Sequence, residues 1–247
     1  MKRTFFLLYG IICYLAFFGS FTYFMGFVDN ILVPNSLDGE ATAPLWIALL
    51  INFAAVAIFS LQHSIMARAS FKKVWTRIVP EPIERSTYIL FSSLALSLMM
   101  FMWEPMGGMI WHVEDESFRV ILTIVSLLGF GIVFISSFLI NHFDLFGLRQ
   151  VWLYFNKKPY TPLEFKKVAF YKYSRHPLYL GVVIAVWAAP TMTVAHLVFS
   201  LLITLYVLIG IFLEEKDMIR NFGETYRNYK KQVPKLVPIP IRRNRNI

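Results

Sequence analysis

The chain has 247 residues, of which 57% are hydrophobic and only 16% are charged, and its formal net charge is +9. This composition is too apolar and too weakly charged for an ordinary water-soluble domain. A nucleic-acid-binding protein would carry its basic residues on a solvated, polar domain, and the sequence contains no such region. The single cysteine, Cys13, excludes an intramolecular disulfide and a cysteine-based metal site. We therefore expect an integral membrane protein that binds neither nucleic acid nor a metal.

Four apolar segments are long enough to cross a bilayer as helices, for which about 17 to 25 residues are needed. They are residues 4–28, 44–66, 86–103 and 118–140. The first follows two basic residues, as a signal peptide does, but it is too long and lacks a cleavage site of small residues. We predict that it is retained as the first of four transmembrane helices.

A fifth apolar region, residues 178–213, is interrupted by Pro190. Because proline stops a helix, this region predicts a hairpin with an outgoing arm over 177–189 and a returning arm over 195–213. At 1.5 Å per residue the outgoing arm is about 20 Å long, which is short for a full span. Its first residues are therefore expected at the depth of the lipid headgroups.

The residues after the hairpin predict an amphipathic tail helix. Phe222, Tyr226 and Tyr229 have the spacing of one helix face, which we expect to pack under the bundle. Three lysines, Lys230, Lys231 and Lys235, are expected to face lipid headgroups. The predicted fold is thus an all-α polytopic transmembrane bundle, with four spanning helices, a C-terminal helical hairpin that makes five to six membrane segments, and a cytoplasmic tail helix. One domain over residues 1–247 is the simplest organisation.

The charges divide between the two sides of this predicted bundle. Segments 1–3, 67–85, 141–175 and 214–247, all on one side, contain every lysine and arginine except Arg119. The two loops on the other side are acidic. Because loops rich in lysine and arginine stay in the cytoplasm, both termini are predicted to be cytoplasmic. The basic side would face the anionic lipids of the inner leaflet.

Two polar clusters of the predicted cytoplasmic side flank the hairpin. Pro177 suits the first turn of a helix, and places Arg175 and His176 at its electropositive end, where the carboxylate of a ligand could bind. Glu214 or Glu215, at the other end of the hairpin, could accept hydrogen bonds from an amino group or from ribose hydroxyls. The alternative is a solvated basic cap beside two ordinary surface carboxylates.

The motif RHPLYLG, followed after the hairpin by EEKDMIRNFGETYRNYKKQVP, resembles the membrane methyltransferases typified by isoprenylcysteine carboxyl methyltransferase and the phospholipid N-methyltransferases. The resemblance implies that residues 141–240 bind S-adenosylmethionine. The matching positions are Arg175, His176, Pro177, Tyr179, Gly181, Glu214, Glu215 and Tyr226. Phe170 departs from the pattern, because the lipid methyltransferases usually have a glycine there.

A longer set of segments, QHSIMAR, NHFDLFGLRQVWLYF, KPYTPLEF, YKYSRHPLYLG and WAAPTMTVAHLVFS, is similar to the methanethiol S-methyltransferases. This resemblance implies a small thiol as methyl acceptor and dimethyl sulfide as product. Two alternatives remain open: an isoprenylcysteine or lipid methyltransferase, and a non-enzymatic membrane transport or assembly protein. The helices before the hairpin contain almost no charge, which argues against ion translocation.

Only the thiolate form of a thiol is an effective nucleophile, so a general base is a further expectation. His63, His142 and Asp144 are the candidates, with Asp144 pairing with His142 to orient its ring. Alternatively, Asn141 and His142 cap the fourth helix, Asp144 pairs with Arg149, and His63 has a buried hydrogen-bonding role. A neighbouring sulfonium charge would itself favour the thiolate and make a protein base unnecessary.

Overall fold

A computed structural model of the protein describes residues 1–238, which are mostly helical. The helices are α1 (Lys2–Asp29), α2 (Leu45–Met66), α3 (Ala69–Trp75), α4 (Glu81–Met102), α5 (Glu116–Ile140), α6 (His142–Leu145), α7 (Leu148–Phe155), α8 (Pro177–Trp187) and α9 (Val194–Gln232), with a 3₁₀ turn at Ala169–Lys172 and two strands, β1 (Met109–His112) and β2 (Thr191–Thr193). In this part of the chain five helices, α1, α2, α4, α5 and α9, are long and apolar enough to cross a membrane. The predicted all-α membrane bundle is confirmed. The last two residues of the predicted cofactor-binding range 141–240 lie outside the described residues.

The four predicted spans are present, with ends that differ where a helix begins on polar residues. Helix α4 begins at Glu81 rather than at residue 86, because Pro80 and Pro82 favour a helix start and acidic residues occupy the first turn. Helix α5 begins after Asp115, whose side chain accepts a hydrogen bond of 3.0 Å from the Phe118 N–H. Hydropathy locates the apolar part of each helix and misses these polar first turns.

The hairpin is also present, and its outgoing arm is short, as predicted. Helix α8 has 11 residues and ends at Trp187. The chain then forms β2, which pairs antiparallel with β1 from the connection between α4 and α5, so that Trp111 lies opposite Met192. This two-stranded ribbon was not among the predicted elements. It joins the turn of the hairpin to the connection between α4 and α5.

The returning arm and the tail helix follow each other directly as two helical parts of α9, which meet at a kink at Gly223. Helix α9 runs for 39 residues, begins with a hydrogen bond of 3.0 Å from the His196 N–H to the Thr193 hydroxyl, and leaves helical geometry only at Gly223. Beyond the bilayer-length part, Tyr226 and Tyr229 are buried and pack against the half-buried Phe165. The aromatic face of the tail therefore packs inward, as expected.

Two glycines bring α5 and α8 into contact backbone to backbone. A Cβ atom on Gly129 would lie only 2.7 Å from the carbonyl oxygen of Gly181 and from the amide nitrogen of Ala185. Small residues allow this close approach between helices in a membrane. The contact positions α8, and therefore the residues at its start. Gly181, a predicted cofactor-binding residue, lies at this helix contact.

A methyl group at the contact between α5 and α8 should destabilise the bundle. Gly129→Ala is expected to lower the midpoint of thermal unfolding in detergent, because overpacking a close contact costs about 1–3 kcal/mol. Gly131→Ala is the matched control, since a Cβ atom at Gly131 meets no heavy atom within 4 Å and both changes raise helix propensity equally. Equal unfolding midpoints in the two variants would contradict the proposed role of the contact.

Candidate functional site

A cavity of about 500 Å³ lies among α1, α2, α4, α5, α8 and α9. Its size falls in the range of about 300–1,000 Å³ that is typical of small-molecule sites. One end is polar and is lined by Arg175, His176 and Glu214, at the end of the bundle where α4 and α8 begin. The other end extends toward the middle of the bundle and is lined by apolar side chains such as Phe24 and Met99. The two parts of the predicted motif therefore meet at one cavity.

The Arg175 side chain forms the centre of a buried ion cluster beside this cavity. Its Nε and Nη2 atoms both lie 2.8 Å from Oε1 of Glu215. Its Nη1 atom donates hydrogen bonds to the carbonyl oxygens of Lys230, at 3.1 Å, and Val233, at 2.6 Å. The Lys230 ammonium lies 2.8 Å from the second oxygen of Glu215. This cluster joins the start of α8 to the chain that follows α9.

The cluster changes the expected roles of two residues. Lys230 pairs with Glu215, which corrects the expectation that Lys230 faces lipid headgroups. Lys230 and Arg175 pair with the two oxygens of Glu215, so this carboxylate has a structural role in the site. The guanidinium of Arg175 is likewise committed to protein partners.

His176 is buried, so the alternative of a solvated basic cap is wrong. Only 3% of its side chain is exposed, its Nε2 lies 3.3 Å from Oε1 of Glu215, and its Nδ1 lies 3.7 Å from a carboxylate oxygen of Glu214. Burial lowers the pKa of His176 to about 4; Glu215 opposes this shift, while Arg175 and Lys235 reinforce it. The imidazole is therefore neutral at neutral pH.

The two consecutive glutamates face different surroundings. Successive residues of an α-helix point about 100° apart. Glu215 faces the ion cluster and 8% of its side chain is exposed, whereas Glu214 lines the cavity with 44% of its side chain exposed. Tyr179 also lines the cavity, with its ring 5.7 Å from that of His176. Glu214 and Tyr179 are thus the predicted binding residues with surface available to a ligand.

Three other predicted binding residues lie behind the cavity wall. Pro177 occupies the first turn of α8, and Gly181 packs against α5. Tyr226 is 2% exposed and lies between Phe165 and Tyr229, with ring centroids 5.8 and 5.7 Å away. These residues support the elements that form the cavity.

His63 lines the same cavity from the end of α2, and it is hydrogen-bonded at both ring nitrogens. The Tyr88 hydroxyl lies 3.0 Å from Nε2, and the Ser92 hydroxyl lies 3.2 Å from Nδ1. Tyr88 and Ser92 were not among the predicted site residues, because their segment resembles any other apolar span. The available signal was the helical spacing of Arg85, Tyr88 and Ser92, which places all three on one face of α4.

His142 lies outside this cavity and is buried in a packed environment. Its Nε2 lies 2.8 Å from the Tyr14 hydroxyl, its Nδ1 lies 2.7 Å from the Ser137 hydroxyl, and its ring stacks on Phe138 with centroids 4.1 Å apart. Burial lowers the pKa of His142. The expected pairing with Asp144 is not formed. These contacts fit the alternative in which His142 organises the end of the fourth spanning helix.

Asp144 lies instead at a second cavity, of about 710 Å³, between the start of α4 and α7. Its Oδ1 atom lies 2.7 Å from Nη1 of Arg149, which is the ion pair of the alternative prediction. Arg85 and Leu145 line both cavities, and the Arg85 Nε donates a hydrogen bond of 2.7 Å to the Leu145 carbonyl. Arg85 therefore stands between the two cavities.

Comparisons with known proteins link most of the chain to methanethiol S-methyltransferases. A family model described as a protein of unknown function (DUF1295) matches residues 69–233. A methanethiol S-methyltransferase of Crocosphaera subtropica is 53% identical over 238 residues, which cover 96% of this chain and 93% of the relative. A methanethiol S-methyltransferase of Mycobacterium tuberculosis is 44% identical over 98% of this chain and 99% of the relative.

A more distant relative carries a different name. The Nurim protein of Xenopus laevis is 27% identical over 80% of this chain and 76% of its own length. No solved structure matches the chain.

Loss of the Glu215 charge should loosen the segment that follows α9. Glu215→Gln is expected to accelerate tryptic cleavage after Lys230, Lys231 and Lys235, because removing one partner of a buried ion pair costs about 3–5 kcal/mol. Glu224→Gln is the control, since Glu224 and its partner Arg227 form an exposed pair on the same helix. Cleavage rates that are equal in the two variants would show that the cluster does not hold this segment.

Proposed function

This chain belongs to the family of membrane proteins that includes the methanethiol S-methyltransferases, and from that membership we propose that it methylates methanethiol to dimethyl sulfide with S-adenosylmethionine as methyl donor. The observation that carries the proposal is a single cavity with a polar end and an apolar end. The polar end suits an amino-acid and nucleoside ligand, and the apolar end suits a small alkyl thiol. Both reactants can therefore meet within one site.

The residues around the polar end fit the methyl donor. Glu214 offers a carboxylate that can accept hydrogen bonds from an amino group or from ribose hydroxyls. We assign Arg85 as the cation that binds the carboxylate of the methyl donor. Within residues 1–238 its guanidinium donates a hydrogen bond only to a backbone carbonyl and forms no ion pair. The faces of Tyr179 and Tyr206, which also line the cavity, favour a positively charged sulfur through cation–π attraction. When bound there, S-adenosylmethionine would supply an electrophilic methyl group.

Arg175 and His176 act indirectly in this proposal. Arg175 fixes Glu215 and the chain after α9, and this arrangement turns Glu214 toward the cavity. The neutral ring of His176 lies between the two glutamates without adding a positive charge. The motif around Pro177 is therefore proposed to build the polar end of the cavity, while Glu214 and Tyr179 contact the ligand.

The apolar end provides the conditions that thiol methylation requires. Apolar residues such as Leu96, Met99 and Ile203 line this part of the cavity and offer water no hydrogen-bond partner. Removing water from a thiolate makes it a stronger nucleophile, and confining it beside the methyl donor replaces a bimolecular encounter with a local one. A cavity of about 500 Å³ that must also hold the donor favours a small acceptor over a prenylated peptide or a phospholipid.

The proposed location follows from the charge distribution. The basic end of the bundle, where the polar end of the cavity lies, is placed in the cytoplasm, and both termini with it. The methyl donor would enter from this side, and the basic loops would contact the anionic lipids of a bacterial inner membrane.

Headspace gas analysis tests the reaction. Cells that express the protein and are supplied with methanethiol should release dimethyl sulfide above the level of cells with an empty vector. No increase would contradict the proposed acceptor. Transfer of a labelled methyl group from S-adenosylmethionine into the organic lipid fraction, with none in volatile products, would favour a lipid methyltransferase instead.

Binding of S-adenosylhomocysteine to detergent-purified protein tests the donor site. Glu214→Gln should weaken this binding about ten- to a hundredfold, since a hydrogen bond to a charged group contributes about 1.5–3 kcal/mol. Glu224→Gln, an exposed residue of the same helix, should bind like the unchanged protein. Calorimetry that finds full affinity in Glu214→Gln would show that this carboxylate does not hold the donor.

A further inference from the structure

His63 connects two hydroxyl groups on the wall of the proposed methyl-transfer cavity. Ser92 lies at its Nδ1 and Tyr88 at its Nε2, with distances of 3.2 and 3.0 Å. The Tyr88 hydroxyl also lies 3.3 Å from the backbone carbonyl of His63, and it is the donor in that contact. The Gln62 amide nitrogen lies 3.5 Å from the Ser92 hydroxyl oxygen. Ser92, His63 and Tyr88 thus form a hydrogen-bonded chain, and all three side chains line the cavity.

The number of protons shared by Ser92, His63 and Tyr88 indicates which group donates in each of their hydrogen bonds. A neutral imidazole carries one N–H and one bare nitrogen. When Tyr88 donates its proton to the His63 carbonyl, Nε2–H donates to the Tyr88 oxygen, so Nδ1 is bare and accepts from Ser92. The free lone pair of the ring is then directed at Ser92. In this tautomer the Ser92 hydroxyl donates to His63, and the serine oxygen is the neighbouring atom that can take a proton from the cavity.

The chain also spans the boundary between the two ends of the cavity. Tyr88 and Ser92 are four residues apart on α4, a separation of about 6 Å along the helix axis. Arg85, one turn in the opposite direction, places its guanidinium 4.8 Å from the centre of the Tyr88 ring. Leu96 and Met99 continue the same wall beyond Ser92. Ser92 thus faces the apolar end, and Tyr88 and Arg85 face the polar end.

Methylation of a thiol releases one proton, and an apolar cavity cannot accommodate that charge without a polar group to accept it. We propose, on the basis of the function proposed above, that Ser92 relays the thiol proton to His63 and that Tyr88 positions the His63 ring. The S–H bond breaks as the proton moves to the Ser92 oxygen, and the serine proton moves to Nδ1. The sulfur electron pair forms the new sulfur–carbon bond, the bond from the methyl carbon to the donor sulfur breaks, and its electron pair stays on that sulfur. The proton ends on His63, beside the polar end, with no further reactant required.

Adjacent serines on α4 provide a matched test of the relay. Ser93 also lines the cavity, but its hydroxyl donates a hydrogen bond of 2.9 Å to the Ile89 carbonyl of its own helix. Ser92→Ala and Ser93→Ala remove the same atom from neighbouring positions. Only Ser92→Ala removes a hydroxyl that contacts His63, so only this variant should lose the relay.

The readout is the rate of methylation of a series of small thiols at one fixed pH, with ethanethiol and 2,2,2-trifluoroethanethiol as a pair of similar shape. General acid–base catalysis contributes about 10²–10⁴-fold, so Ser92→Ala should slow the less acidic ethanethiol by roughly a hundredfold. The fluorinated thiol is more acidic, so a much larger fraction of it is already ionised in solution, and Ser92→Ala should reduce its rate only severalfold. Ser93→Ala should change both rates by the same factor. Ser92→Thr, which restores a hydroxyl, should recover most of the ethanethiol rate.

The possible results of these experiments distinguish a failure of the proposed relay from a failure of the proposed function. S-adenosylhomocysteine should bind equally to Ser92→Ala and the unchanged protein, which distinguishes a lost relay from a damaged cavity. If the unchanged protein methylates thiols but Ser92→Ala loses the same factor with both acceptors, the relay is wrong and the function stands. If the unchanged protein methylates no thiol, the proposed function fails and the relay fails with it.

Discussion

The buried contact between Arg175 and Glu215 is the interaction on which the arrangement of the site depends. It joins the first residues of α8 to the middle of α9, and through Lys230 and the carbonyl of Val233 it holds the chain that follows α9. A buried carboxylate is tolerated because two cations share it. With Glu215 fixed in this way, the helical rotation of about 100° per residue directs Glu214 into the cavity. Glu215 therefore has a structural role, whereas Glu214 is available to bind a ligand.

The same arrangement explains why the site combines opposite environments. The short helix α8 begins at the polar end, packs backbone to backbone on α5, and lines the cavity with Tyr179. Helix α4 crosses the boundary, with Arg85 at the polar end and Met99 at the apolar end. A charged cofactor and a small apolar thiol require these two environments at a short distance from each other. The proposed relay through Ser92 and His63 lies where they meet.

Much of the fold is predictable from the sequence because a bilayer imposes simple rules. Apolar length located the spans, Pro190 located the turn of the hairpin, and the aromatic spacing of the tail predicted its packed face. The ribbon between β1 and β2 was not predictable in this way. Its strands, Met109–His112 and Thr191–Thr193, are only four and three residues long, and they pair across a large sequence separation. Local patterns carry little information about such pairs.

The sequence predicted which residues belong to the site, but not which of them face the cavity and which support its structure. Motif and hairpin geometry identified Arg175, His176 and Glu214 together. Which of two neighbouring glutamates faces the cavity depends on the rotation of α9, and that rotation depends on tertiary contacts. His142 is a similar case: a histidine at a helix end resembles a catalytic base in sequence, yet Tyr14 and Ser137 occupy both of its nitrogens. Helical spacing places Tyr88 and Ser92 on one face of α4, but their contacts with His63 depend on how α4 packs against α2.

The central claim is that the cavity beside the Arg175–Glu215 contact binds the methyl donor. An experimental structure of the protein in lipid nanodiscs with S-adenosylhomocysteine tests it most directly. The account predicts ligand density in the cavity of about 500 Å³, with the amino group or ribose hydroxyls at Glu214 and the sulfur near the boundary marked by His63. Density in the second cavity, between Lys72 and Tyr160, with the first cavity filled by lipid or water, would contradict it.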